Sequence, residues 1–165
     1  MPYQTQFGSL SSFSKGNIEL IDDKAKHYVF SNIFEVASRS KPFEKVVVAK
    51  NIQFVIEALR SEGDSAWFAA SHDEFVICMD GVTEIEFVKL DDPTSAVAPS
   101  REGSVRLPGT PKGRRMGLVR LKRGHQAMLP VGAAYRFHAV SPGVLMLQTI
   151  LGEESVQKWS EICYR

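Results

Sequence analysis

Cysteine is scarce: Cys78 and Cys163 are the only two in 165 residues, and no Cys-x-x-Cys spacing exists. A lone pair in a chain without an export signature is expected to be two reduced thiols, so no disulfide framework is available to hold the fold. Residues 1–16 carry Ser, Gln and Gly where a secretory leader would need a basic end followed by an apolar stretch, which makes the cytoplasm the expected compartment. Long hydrophobic runs are missing as well. The longest, at 74–79 and 144–151, are strand length and far short of the ~20 residues that span a bilayer, so no membrane partner is expected. Charge of one sign is also lacking: 20 basic against 19 acidic residues leave a formal net charge of +1, and no global field draws the chain to nucleic acid or an anionic surface. Histidine is limited to four positions, of which His27, His125 and His138 are scattered and read as surface or satisfied side chains.

What remains is an ordinary globular composition, 44% hydrophobic and 24% charged, of a length suited to one domain with its own core. The expected domain is a single unit over 1–165, with an N-terminal arm at 1–44, a β-barrel at 45–151 and a C-terminal helix at 152–165. Within the arm, Tyr28, Ile33, Phe34 and Ala37 fall near helical spacing and predict a short helix over 26–38. From Phe43 onward the pattern turns to β, with Val-rich 45–49, mixed β-branched and aromatic 53–60, and a long strand over 66–79. Asp80–Gly81 reads as a hairpin turn, with 82–90 as the returning strand. Pro93, Pro99, Pro108 and Pro111 predict a long loop without regular structure over 91–117, followed by short strands at 116–123, 126–129, 134–140 and 144–151. Glu153 and Glu154, with Val156, Trp159 and Ile162 at spacing three, predict a helix over 153–163. Many short strands with Gly and Pro corners place the fold among all-β sandwiches and jelly rolls.

Two spacings narrow this. Glu74 is followed by six residues and then Gly81, and Gly124, Pro130 and Gly132 follow at fitting intervals. Together these resemble the two motifs of the cupin superfamily and cover roughly the middle half of the chain, which implies an all-β, cupin-type jelly-roll barrel. Metal chemistry in such a barrel needs two or three neutral imidazoles and a carboxylate converging on one open site. Counting back from Glu74 the ligand positions are Phe68 and Ala70, or Trp67 and Ala69; counting forward from Gly63 they are Ala69 and Ser71. No register supplies a histidine. The ligand position of the second motif is Tyr135, a phenol that stays protonated at neutral pH with its ordinary pKa of about 10. His72 shares the strand face of Glu74 by alternation, and the two are expected to meet in a degenerate pocket with Tyr135. No metal is expected on this chain.

Beyond these motifs, the stretches 45–51, 57–63 and 65–81 resemble the small subunit of the hydroquinone 1,2-dioxygenase family. That resemblance implies a non-catalytic subunit paired with a larger, iron(II)-binding cupin subunit in an α2β2 heterotetramer. The reaction implied is extradiol-type opening of a small aromatic diol, hydroquinone, by dioxygen to 4-hydroxymuconic semialdehyde. The iron would sit on the partner, on two His and one Glu. In such an assembly Trp67, and after it Phe68, would help line the partner's substrate pocket as flat apolar walls; packing at a barrel end or an interface core is the other reading of Trp67. The second half of the other face of the 66–79 strand (Phe75, Ile77, Met79) and both faces of 144–151 are apolar, so both need cover, from the chain's own ends or from another protein. The loop 91–117 carries Arg101, Arg106, Lys112, Arg114 and Arg115 without interleaved aromatics, which fits a docking arm better than a nucleic-acid surface. Two alternatives stay open: a stand-alone metal cupin using His72, Glu74 and His138, and a ligand-binding regulatory homodimer.

Overall fold

The computed structural model of the chain describes residues 8–13 and 32–158. A short helix α1 (Ile33–Arg39) precedes the strands β1 (Lys45–Asn51), β2 (Phe54–Asp64), β3 (Phe68–Ala70), β4 (Glu74–Asp80) and β5 (Val82–Leu90). A single helical turn α2 (Pro93–Ala96) leads to β6 (Ser104–Arg106), β7 (Gly113–Lys122), β8 (Gln126–Leu129), β9 (Ala133–Ile150) and β10 (Ser155–Val156). All ten strands belong to one curled sheet. The architecture is the all-β jelly-roll barrel that the motif spacing implies.

The sheet is organised around β9, which is one strand of 18 residues where the sequence predicts two. Along one side it pairs antiparallel with β2 and β3; along the other it pairs antiparallel with β4 and β5. The predicted Asp80–Gly81 hairpin does not form. β4 and β5 are two legs of one bent path beside β9, and neither pairs with the other. Both paths bend at the same level, where Gly81, at φ +76°, meets Gly143: a Cβ on Gly143 would lie 2.6 Å from the Asp80 carbonyl oxygen. The Pro142–Gly143 pair, which reads as a break in the sequence, is therefore a corner that lets the sheet close on itself.

Inward-facing residues fill the barrel, with Phe68, Ile85, Tyr135, Phe137, Leu145 and Leu147 in its main core. α1 begins at Asn32, whose side chain accepts the Phe34 N–H at 2.9 Å. The helix lays Val36 against Val46, Val48 and Ala58, and Phe34 and Ala37 against Val144. It thus covers part of the outer sheet face; Phe75, Phe54 and Met128 stay exposed among the described residues. The remainder of the N-terminal helix expectation, 26–31, lies outside the described residues.

Two further expectations are corrected. The 91–117 segment is not without regular structure: it forms α2 and β6 and starts β7, and its Val97 and Leu107 close over Trp67, Leu90 and Ala134. Two of its arginines are tied to the rest of the fold at the surface, Arg115 paired with Glu86 and Arg106 with Glu154. Residues 153–158 are a turn and a strand, not the start of a helix. Glu153 and Glu154 pair with Arg101 and Arg106 where a helix start would use them as caps, and Ser155–Val156 add to β1 as a parallel edge. Residues 159–163 lie outside the described residues. No described helix is long and apolar enough to cross a membrane.

Candidate functional site

The feature that departs most from an apolar barrel is a set of polar side chains buried at its core. Lys45 from β1, Glu57 from β2, Glu74 from β4, Ser104 from β6 and Tyr135 from β9 are all inaccessible to solvent or nearly so. Each occupies the inward parity of its strand: Lys45 alternates with Val47, Glu57 with Val55 and Leu59, and Glu74 with Val76 and Cys78. Burying such groups is costly unless they are partnered, and here a hydrogen-bonded chain joins four of them, Lys45, Ser104, Tyr135 and Glu74. Tyr135 donates its phenolic proton to Glu74 Oε2 at 2.6 Å. The Lys45 ammonium donates to Tyr135 Oη at 3.4 Å and to Ser104 Oγ. Ser155 Oγ donates to Glu57 Oε1 at 2.6 Å. The same ammonium stands 4.2 Å from the centroid of the Phe68 ring, within cation–π range.

Burial dominates the titration of the cluster. It raises the Glu57 carboxyl to about 7 against the lowering pull of Lys45 and Ser155, with Glu74 and Glu154 adding to the rise. It also pushes the Tyr135 phenol well above its ordinary value, and the neighbouring Glu74 carboxylate pushes in the same direction. Tyr135 is thus a fixed neutral donor at physiological pH. The second oxygens of Glu57 and Glu74 are buried with no hydrogen-bond partner among the described residues.

The predicted site residues fall into three places. Glu74, Tyr135 and Phe68 come together in this cluster, with the Phe68 and Tyr135 ring centroids 6.0 Å apart. His72 does not join Glu74. The predicted continuous strand is interrupted at 71–73, and the imidazole Nε2 there meets Thr149 Oγ1 at 3.0 Å and accepts the Ile150 N–H at 3.3 Å. Trp67 points the other way from Phe68, into the satellite core with Val97 and Leu107; only 8% of it is exposed, and the Arg136 guanidinium stands 4.9 Å from its ring. His138 pairs with Asp64 at the surface, and His125 Nδ1 accepts the Lys122 N–H; His27 lies outside the described residues.

Lys45, Glu57 and Ser104 carry the cluster and were not singled out as site residues from the sequence. The available signal was parity: a charged residue on the apolar face of a Val-rich strand must be buried, partnered or both.

Iron does not fit this set. The first-motif positions are aromatic, Ala or Ser, the second is a neutral phenol already committed to Glu74, and the lysine ammonium stands beside Phe68 and Tyr135. No group of three His, Cys, Asp or Glu capable of holding a metal exists among the described residues.

No family model and no curated protein matches the chain. Solved structures do. A chain of the hydroquinone 1,2-dioxygenase from Sphingomonas sp. TTNP3, with 4-hydroxybenzoate bound, is 50% identical, with a TM-score of 0.94 over 99% of this chain and 98% of that one. A chain of hydroquinone 1,2-dioxygenase PnpCD, in complex with Cd2+ and 4-hydroxybenzonitrile, is 54% identical, with a TM-score of 0.92 over 99% and 98%. The chain belongs to the hydroquinone 1,2-dioxygenase family. PnpCD in complex with Fe3+ also contains a longer chain that shares only the fold, at 12% identity and a TM-score of 0.61 over 89% of this chain and 41% of that one. A cupin-2 domain protein from Shewanella frigidimarina NCIMB 400 shares the fold too, at 17% identity and a TM-score of 0.51 over 71% and 89%. The hydroquinone 1,2-dioxygenase chains matched along their whole length are thus short cupins, and the PnpCD assembly has a second, longer chain of the same architecture.

Proposed function

We propose that this chain is the small, non-catalytic subunit of a two-component iron(II) ring-cleaving dioxygenase that converts hydroquinone and dioxygen to 4-hydroxymuconic semialdehyde. The observation that carries the reading is the whole-length match, at 50% and 54% identity, to short chains of hydroquinone 1,2-dioxygenases. An interior that offers an ammonium where metal donors would be needed supports the assignment of the iron to a larger partner. The partner is a larger cupin, and the assembly an α2β2 heterotetramer. Iron, held by the partner, would supply the site that brings diol and dioxygen together.

This chain's part is to stabilise that partner and help to shape its pocket. Trp67 is the residue proposed to face the substrate in trans. Its ring packs against Val97 and Leu107 and beneath the Arg136 guanidinium, which fixes it in place as a wall against an aromatic diol must be fixed. Phe68, on the other side of the backbone, fixes the start of β3 through its contacts with Tyr135 and Lys45.

Expression of each subunit alone and of both together tests the reading. Ring cleavage of hydroquinone is expected only from the pair. Turnover by this chain without its partner would contradict it.

A further inference from the structure

We propose that Lys45 is a tethered cation: its ammonium occupies a cation site walled by Ser104, Tyr135 and the Phe68 ring, with Glu74 behind Tyr135, and by occupying it keeps divalent metal out of this barrel. The inference concerns the chain's own interior and stands whether or not the chain serves a ring-cleaving enzyme.

Each wall of the site is suited to an ammonium, and none supplies an imidazole or a thiolate for a transition metal. Tyr135 gives its proton to Glu74 at 2.6 Å, which leaves a phenolic lone pair facing the Lys45 Nζ at 3.4 Å. Ser104 accepts from the same nitrogen. Phe68, at one of the first-motif positions, presents the face of its ring at 4.2 Å, where a π cloud attracts an ammonium but cannot ligate a transition metal. Glu74, and Glu57 once it ionises at about 7, supply the negative charge, and each keeps one buried oxygen without a hydrogen-bond partner among the described residues. Those two oxygens are what a second cation would seek. A divalent ion brought to them would meet the positive charge of Lys45 within the same low-dielectric interior, where repulsion is poorly screened.

The origin of the arrangement is local. Lys45 is the first residue of β1, at the strand end beside β10, so its stem enters the barrel from the rim and its nitrogen reaches the level of Tyr135. Without the lysine, Glu74, and Glu57 whenever it ionises, would lie in an apolar core with no counter-charge; the lysine supplies it from the chain itself.

Chemical rescue tests the proposal on the full chain. Lys45→Ala deletes a propylammonium group, and its melting temperature is expected to fall, to recover most of the loss in n-propylammonium chloride, and not to recover in n-propanol; the wild type should respond to neither. Equal recovery in propanol, or none in propylammonium, would overturn the proposal. Should Lys45→Ala fail to fold, Lys45→Met keeps the apolar stem. It is expected to melt below the wild type, and the triple variant with Glu57→Gln and Glu74→Gln to regain much of that loss. A Lys45→Met chain as stable as the wild type, or a triple variant no better than Lys45→Met, would sink the idea. Titration with Mn2+ alone should show no uptake by the wild type; one Mn2+ bound per chain and lost in Glu74→Gln would overturn the exclusion claim.

Discussion

Tyr135 and Glu74, 61 positions apart in sequence, meet inside the barrel through a 2.6 Å hydrogen bond from phenol to carboxylate. The bond ties β9 to β4 across the core and commits the phenol as a donor. Removing the hydroxyl leaves a buried carboxylate oxygen unpaired, a loss of about 1–3 kcal/mol or more for a charged group. Tyr135→Phe is therefore expected to lower the urea midpoint without changing the denaturant slope. In the double variant with Glu74→Gln the loss should be smaller than the sum of the single losses, because the two groups share one interaction. Additive losses would show that the contact is not coupled.

Glu57 makes stability depend on pH in a stated direction. Its folded pKa, about 7, lies above the ordinary 4.5, with burial as the main cause. The folded state therefore holds the proton more tightly, so this contribution is full below about 4.5 and is lost as pH rises to about 7. A displacement of that size amounts to roughly 3 kcal/mol at most. Denaturation of the wild type and Glu57→Gln across this window should show the difference between them shifting in favour of the variant as pH rises. Parallel curves would remove Glu57 as a titrating group.

Trp67 is both a packing residue and the proposed pocket wall, so two substitutions are needed. Trp67→Ala removes much of a satellite core and is expected to cost about 3–5 kcal/mol. Trp67→Phe keeps an apolar ring and most of the packing. Both should lower kcat/KM of the assembled enzyme, the Phe variant by about tenfold, or ~1.4 kcal/mol of transition-state stabilisation. Iron content should be unchanged. A normal rate in Trp67→Phe, with normal assembly, would leave Trp67 a packing residue only.

Much of the barrel was legible because strand chemistry is local. β1, β2 and β5 announce themselves through Val, Ile and Phe, and the Glu74–Gly81 and Gly124–Gly132 spacings through turn glycines. What misled was punctuation. Asp80–Gly81 and Pro142–Gly143 carry the same signals whether a chain reverses or merely bends, and only the close approach of two glycines about 60 residues apart decides for a bend. The expected His72–Glu74 contact failed for a related reason: strand alternation holds only while the strand continues, and it is interrupted at 71–73. The acidic pair at 153–154 found arginines instead of a helix start.

The missing ligands were readable residue by residue; their replacement was not. One lysine before three valines reads as a strand end at the surface, and nothing local shows that its nitrogen meets a tyrosine 90 positions away. Charge on an inward parity was the available clue, in both Lys45 and Glu57.

The central claim is that this barrel holds no metal and that the iron of the assembly belongs to the larger partner. Iron quantified on the two subunits after reconstitution under reducing, oxygen-free conditions and separation without chelator tests it most directly. The account predicts iron on the larger subunit alone, with this chain at background both in the assembly and by itself. Stoichiometric iron retained by this chain would contradict it.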